Sequence, residues 1–189
     1  MKQDSKLDQN EPKPGVCPED IKWMEYGLKL AEKAEEQGEI PIGAVIVKAG
    51  TIIGEGWNQS ITRNDASAHA EIMAMRAAGQ SENNYRLVGG TLYVTLEPCP
   101  MCAGALVHSR IERLVYGARD YKTGAVESVM KLLDHESHNH KVQYQGGCCE
   151  SACGEQISNF FKRRRAEKKQ AKLIVKTQAQ LTNGKEEES

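Results

Sequence analysis

Two short stretches place the strongest constraint on how this chain folds. His69-Ala70-Glu71 is one, and Pro98-Cys99-Pro100-Met101-Cys102 is the other, with thirty residues from His69 to Cys99. That interval has room for a helix, a loop and a strand, and each stretch stands where a helix is expected to begin. Cys99 and Cys102 are three apart, so on a helix both thiols face one side. The free N–H groups and the dipole at a helix N-terminus lower a thiol's pKa and favour the thiolate. Pro98 and Pro100 have no N–H and lose nothing in a first turn. A fold that brings the imidazole to the two sulfurs must bring two helix starts, with a strand between them, to one place.

The hydrophobic pattern around these stretches alternates helices with strands. Residues 1–18 are polar, with Pro12, Pro14 and Pro18, and read as a flexible leader. Pro18 opens a helix, with Glu19 and Asp20 in the turn where the dipole favours acids. Ile21, Met24, Leu28, Ala31 and Ala34 recur at helical spacing, and Gly38 ends the helix. IPIGAVIVKAGTIIGEGW carries two β-branched runs about Ala49-Gly50 and reads as a β-hairpin. Asn64, Asp65 and Ser67 are capping candidates before a helix from about His69 to Ala78. TLYVTL is a buried strand, the next helix runs to about His108, and RLVYGA is a strand. GAVESVMKLLD is predicted as a helix, VQYQ as a short last strand, and residues 151–172 as a long helix. The segment 173–189 is expected to be disordered. The chain is thus expected to hold one α/β domain over residues 19–172, a mixed five-stranded sheet between two helical layers. The strands from TLYVTL onward are expected to be parallel.

Composition narrows the class. At 189 residues, 39% hydrophobic and 27% charged, the chain is ordinary for one globular domain with extensions. Its longest apolar run, Ile40 to Val47, is eight residues against the ~20 of a membrane span. With no apolar leader, the expected location is the cytoplasm. Six cysteines (17, 99, 102, 148, 149 and 153) are an even number, but a chain of this size needs no disulfide framework. Residues 157–172, ISNFFKRRRAEKKQAK, hold seven basic side chains and one acidic, a local charge of +6 against −7 for the rest. Such a patch on an acidic body suits a polyanion, although a solvated helix face is the plainer explanation.

The chemistry rests on the pattern as a whole. One His and two Cys are three protein ligands for zinc, an arrangement that leaves a fourth position for water and marks a catalytic site. Zinc lowers the pKa of such a water from ~15.7 to ~7. Glu71, two residues from His69, does not share its direction and suits proton transfer, which typically contributes ~10²–10⁴-fold. Alternatives stay open. A Cys-x-x-Cys pair can be a redox motif, and Cys148, Cys149 or Cys153 could complete a four-ligand structural zinc in a non-catalytic RNA-binding module. The same zinc chemistry could also serve a free base or nucleoside such as cytosine, cytidine or guanine.

His-x-Glu followed by Pro-Cys-x-x-Cys is the established signature of zinc deaminases. SAHAEIMAMR and TLYVTLEPCPMCAGALVHSRIERLVYGARDYKTGA closely resemble the bacterial tRNA-specific adenosine deaminases, over residues 19–172. The resemblance implies a cytidine-deaminase-like α/β/α sandwich, a homodimer, and one zinc per subunit on His69, Cys99 and Cys102. It implies Glu71 as proton shuttle and, as substrate, the wobble adenosine in the anticodon stem-loop of an arginine tRNA. It places Asn58 on the flipped base or its sugar, Ile40, Pro41 and Ile42 beside the pocket, His108 near interface and substrate, and Asp120 near the flanking nucleotides. Each has a plainer role open: turn Asn, core packing, helix-dipole partner, turn former. Phe160 and Phe161 beside Lys162, Arg163, Arg164 and Arg165 suit an unstacked RNA loop, with rings on bases and arginines on phosphates. Burial against the sheet is expected for one of the two rings. The chain departs from the family pattern in its leader, in Cys148-Cys149, and in its tail from Leu173.

Overall fold

The computed structural model describes residues 15–186, with side chains through Val175. Most of the leader, and residues 187–189 of the tail, lie outside the described residues. Helix α1 (Pro18–Glu36) starts on a capping box in which Asp20 Oδ2 accepts the Cys17 N–H at 3.0 Å. It ends before Gly38, which takes φ +77°. Strands β1 (Gly43–Lys48) and β2 (Thr51–Trp57) form the expected antiparallel hairpin. Its two-residue turn puts Ala49 and Gly50 at positive φ (48° and 74°), the conformation a tight hairpin demands.

A one-turn helix, α2 (Ser60–Arg63), follows and was not expected from the sequence. Asn64 is its left-handed C-cap rather than a cap for the next helix. Helix α3 (Ala70–Ser81) has His69 itself at its N-cap position. Strand β3 (Gly90–Leu96), helix α4 (Pro100–His108) and strand β4 (Arg113–Ala118) stand where the pattern puts them. Strand β5 (Gln143–Gly146) is last, and helix α5 (Glu150–Glu186) continues beyond Lys172, where the sequence reading ends it.

The helix expected over GAVESVMKLLD does not form. That stretch is a run of turns, followed by a 3-10 turn at Leu132–Asp134. The physical reason is Glu97, 2% exposed at the end of β3. Its Oε1 accepts the N–H groups of Val126, Glu127 and Ser128 at 3.1, 2.8 and 2.9 Å. A charged acceptor that takes three consecutive backbone donors leaves none of them for a helical ladder.

The sheet order is β2-β1-β3-β4-β5. β1 runs antiparallel to β2 and β3, while β3, β4 and β5 are parallel, so the sheet is mixed as expected. Side chains alternate across it. Ala44, Ile46, Leu92, Val94, Leu114 and Tyr116 point into the core under α3 and α4. Val45, Val47, Tyr93 and Val115 point the other way, into the core with Trp23, Met24 and Leu30 of α1 and Cys153 of α5. The result is the expected three layers.

Candidate active site

The parallel arrangement sets the site. The chain leaves the carboxyl end of β3, passes Glu97 and Pro98, and enters α4, so Cys99 sits at the N-cap and Cys102 in the first turn. α3 lies on the same face of the sheet and also begins at this edge, with His69 at its N-cap. Crevices at the carboxyl ends of parallel strands are where α/β folds hold ligands. Asn58, buried at the end of β2, places His69. Its Oδ1 accepts the first helical N–H, that of Ala70, at 2.9 Å, and its own N–H donates to the Ile42 carbonyl at 3.1 Å.

His69 Nδ1 lies 3.7 Å from Cys99 Sγ and 3.6 Å from Cys102 Sγ. The three donor atoms fall within 4.8 Å of one another, and no fourth His, Cys, Asp or Glu joins them among the described residues. A tetrahedral ion with Zn–S of ~2.3 Å and Zn–N of ~2.0–2.1 Å separates its sulfur and nitrogen donors by about 3.6 Å, so this set fits zinc. The rival fourth ligands lie elsewhere: Cys148, Cys149 and Cys153 belong to the core on the opposite face.

Charge is already distributed among the three groups. The S–H of Cys102 donated to Cys99, and the neighbouring imidazole, hold the Cys99 thiol at about 4 although burial acts to raise it. Cys102, as the donor of that pair and deeply buried, is pushed up. His69 is raised by its bond to Cys99. Glu71, in the first turn of α3 and 4% exposed, has its carboxyl raised by desolvation. It lies beside the Cys102 thiol without being one of the three donors.

A second cluster gathers at the same open end of the hairpin, around the residues that lead into β1 and follow β2. Gly38, Ile40, Ile61, Phe160, Phe161, Arg164, Arg165 and Lys168 line a groove of about 210 Å³. Phe160 is buried and Phe161 is 40% exposed, the division expected of the pair. Arg163 is turned elsewhere, paired with Glu35 of α1 and with Glu167, its guanidinium over the Phe160 ring. Pro41 is buried, and Ile42 packs on the core under α3 and α4. His108 is exposed in the last turn of α4, away from both clusters. Asp120 spends its carboxylate within its own turn, accepting from the Lys122 and Thr123 N–H groups and the Thr123 hydroxyl.

Two residues that shape these clusters were missed. Glu39 is 2% exposed and its Oε1 accepts the Ile61 and Thr62 N–H groups, both at 2.8 Å, which pins α2 and with it Ile61 in the groove. Glu97 does the same for the 119–130 loop. The available signal was an acid directly against an apolar strand run, in GEIPIGAV and TLYVTLEP.

Two helix starts that converge three donors at one sheet edge, with a buried carboxylate beside them, give the fold and donor set of a zinc-binding deaminase domain. Residues 18–118 match the cytidine and deoxycytidylate deaminase zinc-binding region, and the chain belongs to that family. Within it, the chain groups with the tRNA-specific adenosine deaminases. It is 54% identical to the tRNA-specific adenosine deaminase of Haemophilus influenzae over 159 residues, which is 84% of this chain and 92% of that one. Among solved structures, a chain from work on A-to-I editing by tRNA:A34 deaminases at the wobble position of transfer RNA superposes with a TM-score of 0.69 at 44% identity. That match covers 71% of this chain and 98% of the other. A guanine deaminase from Bacillus subtilis aligns less well, with a TM-score of 0.52 and 33% identity over 79% of this chain and 95% of that one.

Proposed function

We propose that this chain catalyses the hydrolytic deamination of adenosine to inosine at the wobble position of a tRNA anticodon. The observation that carries the reading is the convergence of His69 Nδ1, Cys99 Sγ and Cys102 Sγ beside buried Glu71. Those three atoms would hold zinc, which when bound supplies Lewis acidity and makes water a nucleophile at neutral pH. Glu71 takes a proton from the attacking water, delivers it to N1 of the adenine ring, and transfers a proton to the amino group that leaves C6 as ammonia. Asn58 Oδ1 is committed to Ala70, so what it offers a substrate is its amide NH2 donor. Ile40 and the exposed Phe161 ring receive unstacked bases, with the buried Phe160 ring backing them, and Arg164, Arg165 and Lys168 meet phosphates. The polyanion is the anticodon stem-loop of an arginine tRNA, and the enzyme works as a cytoplasmic homodimer. His108 and Asp120 serve it at the periphery, at the subunit boundary and beside the flanking nucleotides. No helix among the described residues is long and apolar enough to cross a membrane.

A free-base deaminase is the second reading, favoured by the similarity to a guanine deaminase. Such a small substrate has no use for the cationic groove wall. Incubation with total tRNA, then sequencing for wobble adenosine read as guanosine, tests the proposal, with free adenosine and guanine in parallel and Glu71→Ala as control. Conversion of tRNA alone, abolished by Glu71→Ala, is expected. Turnover of guanine without turnover of tRNA would replace the proposal with the second reading.

A further inference from the structure

The 119–130 loop combines a rigid base with an exposed tip. Beyond the three N–H groups on Oε1, Glu97 Oε2 accepts the Asp120 N–H at 3.1 Å and the Ser128 hydroxyl. The Ala125 N–H donates to the Pro98 carbonyl at 2.9 Å, so the loop is bonded to the two residues that precede Cys99. Gly124 lies against this anchor so closely that an added Cβ would stand 2.5 Å from the Asp120 carbonyl and 2.6 Å from the Glu97 carboxyl carbon. At the other end, the Asp120 carboxylate closes an Asx-turn on Lys122 and Thr123. Tyr121 is the residue inside that turn. It is 76% exposed, the most exposed large hydrophobic side chain among those described. The loop leaves the carboxyl end of β4, paired in parallel with β3 through Leu96 and Ala118, so it starts from the same sheet edge at which the three donors meet.

We infer that Tyr121 is a stacking surface for an unpaired base of the RNA, and that Glu97 is the positioning residue that aims it. A tyrosine held on a fixed turn offers a large flat face with little freedom to lose on binding, and base–aromatic stacking is tolerant of sequence. Glu97 acts only through the loop. It is buried beneath five donors and presents nothing to a ligand. The inference rests on the reading of an RNA substrate.

The test uses the zinc-loaded full chain and an anticodon stem-loop with 2-aminopurine at each unpaired position in turn. Wild type is expected to quench the fluorophore at one position next to the target. Tyr121→Ala is expected to lose that quench and raise KM about tenfold, while Tyr121→Phe retains both. Glu97→Gln, which turns an amide NH2 toward backbone donors, is expected to reduce the quench and raise KM with zinc stoichiometry intact. A Tyr121→Ala enzyme that quenches and binds like wild type, while wild type deaminates tRNA, overturns the inference and leaves the proposed function standing. Quenching intact in a folded Glu97→Gln variant overturns the part assigned to Glu97. Wild type that neither quenches nor deaminates any stem-loop overturns the RNA reading, and this inference with it.

Discussion

The same residue type does different work on the two faces of the sheet. On the α3/α4 face, Cys99 and Cys102 stand at a helix start with an imidazole nitrogen 3.6–3.7 Å away, and Cys99 is held at about 4. On the α1/α5 face, Cys153 is fully buried among Val45, Tyr93 and Val115, and burial pushes its thiol up to about 12. A thiol becomes a ligand where donors and a partner favour its thiolate; in an apolar layer it behaves as a small hydrophobic group. The contrast extends to the acids. Glu71 is buried beside the donors, whereas Asp20 is buried on the other face in an ion pair with Arg113, at 2.6 and 2.9 Å. One face concentrates chemistry and the other concentrates stability.

Substitutions should separate along that line. The largest effect is expected from Cys99→Ser, which removes a sulfur donor: metal analysis should show zinc lost and turnover abolished, with the apolar layers unaltered. Glu71→Ala is expected to lower turnover by ~10²–10⁴-fold while zinc content stays at one per chain. Retained turnover, or lost zinc, would merge proton transfer with metal binding and break the comparison. Arg113→Met should do the opposite, destabilising by about 3–5 kcal/mol in denaturant unfolding because a buried carboxylate is left without its partner.

That pair also sets a pH dependence. Burial alone would raise Asp20, but the Arg113 bonds, with those from Cys17, overcome it and hold the carboxyl at about 2, below its usual 3.8. Its ionised form therefore stabilises the fold above about pH 4, and the stabilisation is lost as pH falls toward 2. Acid unfolding of the Arg113→Met variant should begin at a higher pH than that of wild type. Neutralising Arg165 and Lys168 should weaken RNA binding and reduce the salt slope by about 0.7 per charge. Arg163→Ala should change it less, because Glu35 and Glu167 already engage that guanidinium. The smallest effect is expected from Cys153→Ala, a loss of about 1 kcal/mol in stability with zinc and turnover unchanged; lost zinc there would mean that the two faces are coupled.

Much of this was legible beforehand because it is local. Two β-branched runs around Ala49-Gly50 specify a hairpin, and prolines and first-turn acids specify helix starts. The His-x-Glu and Pro-Cys-x-x-Cys pair specifies donors, whatever the path between them. What failed was non-local. GAVESVMKLLD has helical periodicity, yet Glu97, some thirty residues earlier, captures its backbone donors. Which atom of the Asn58 amide stays open to a base is likewise decided outside its own stretch, since its oxygen accepts the Ala70 N–H. Arg163, Arg164 and Arg165 are equivalent in sequence, and only the packing of α5 against α1 turns Arg163 toward Glu35.

The order of elements, the alternation of side chains across the strands and the identity of the three donors follow from the sequence, since each depends on spacing within a few residues. The destination of each buried carboxylate was decided by the folded chain, because a charge withdrawn from water must find whichever backbone donors the neighbouring segments bring within reach.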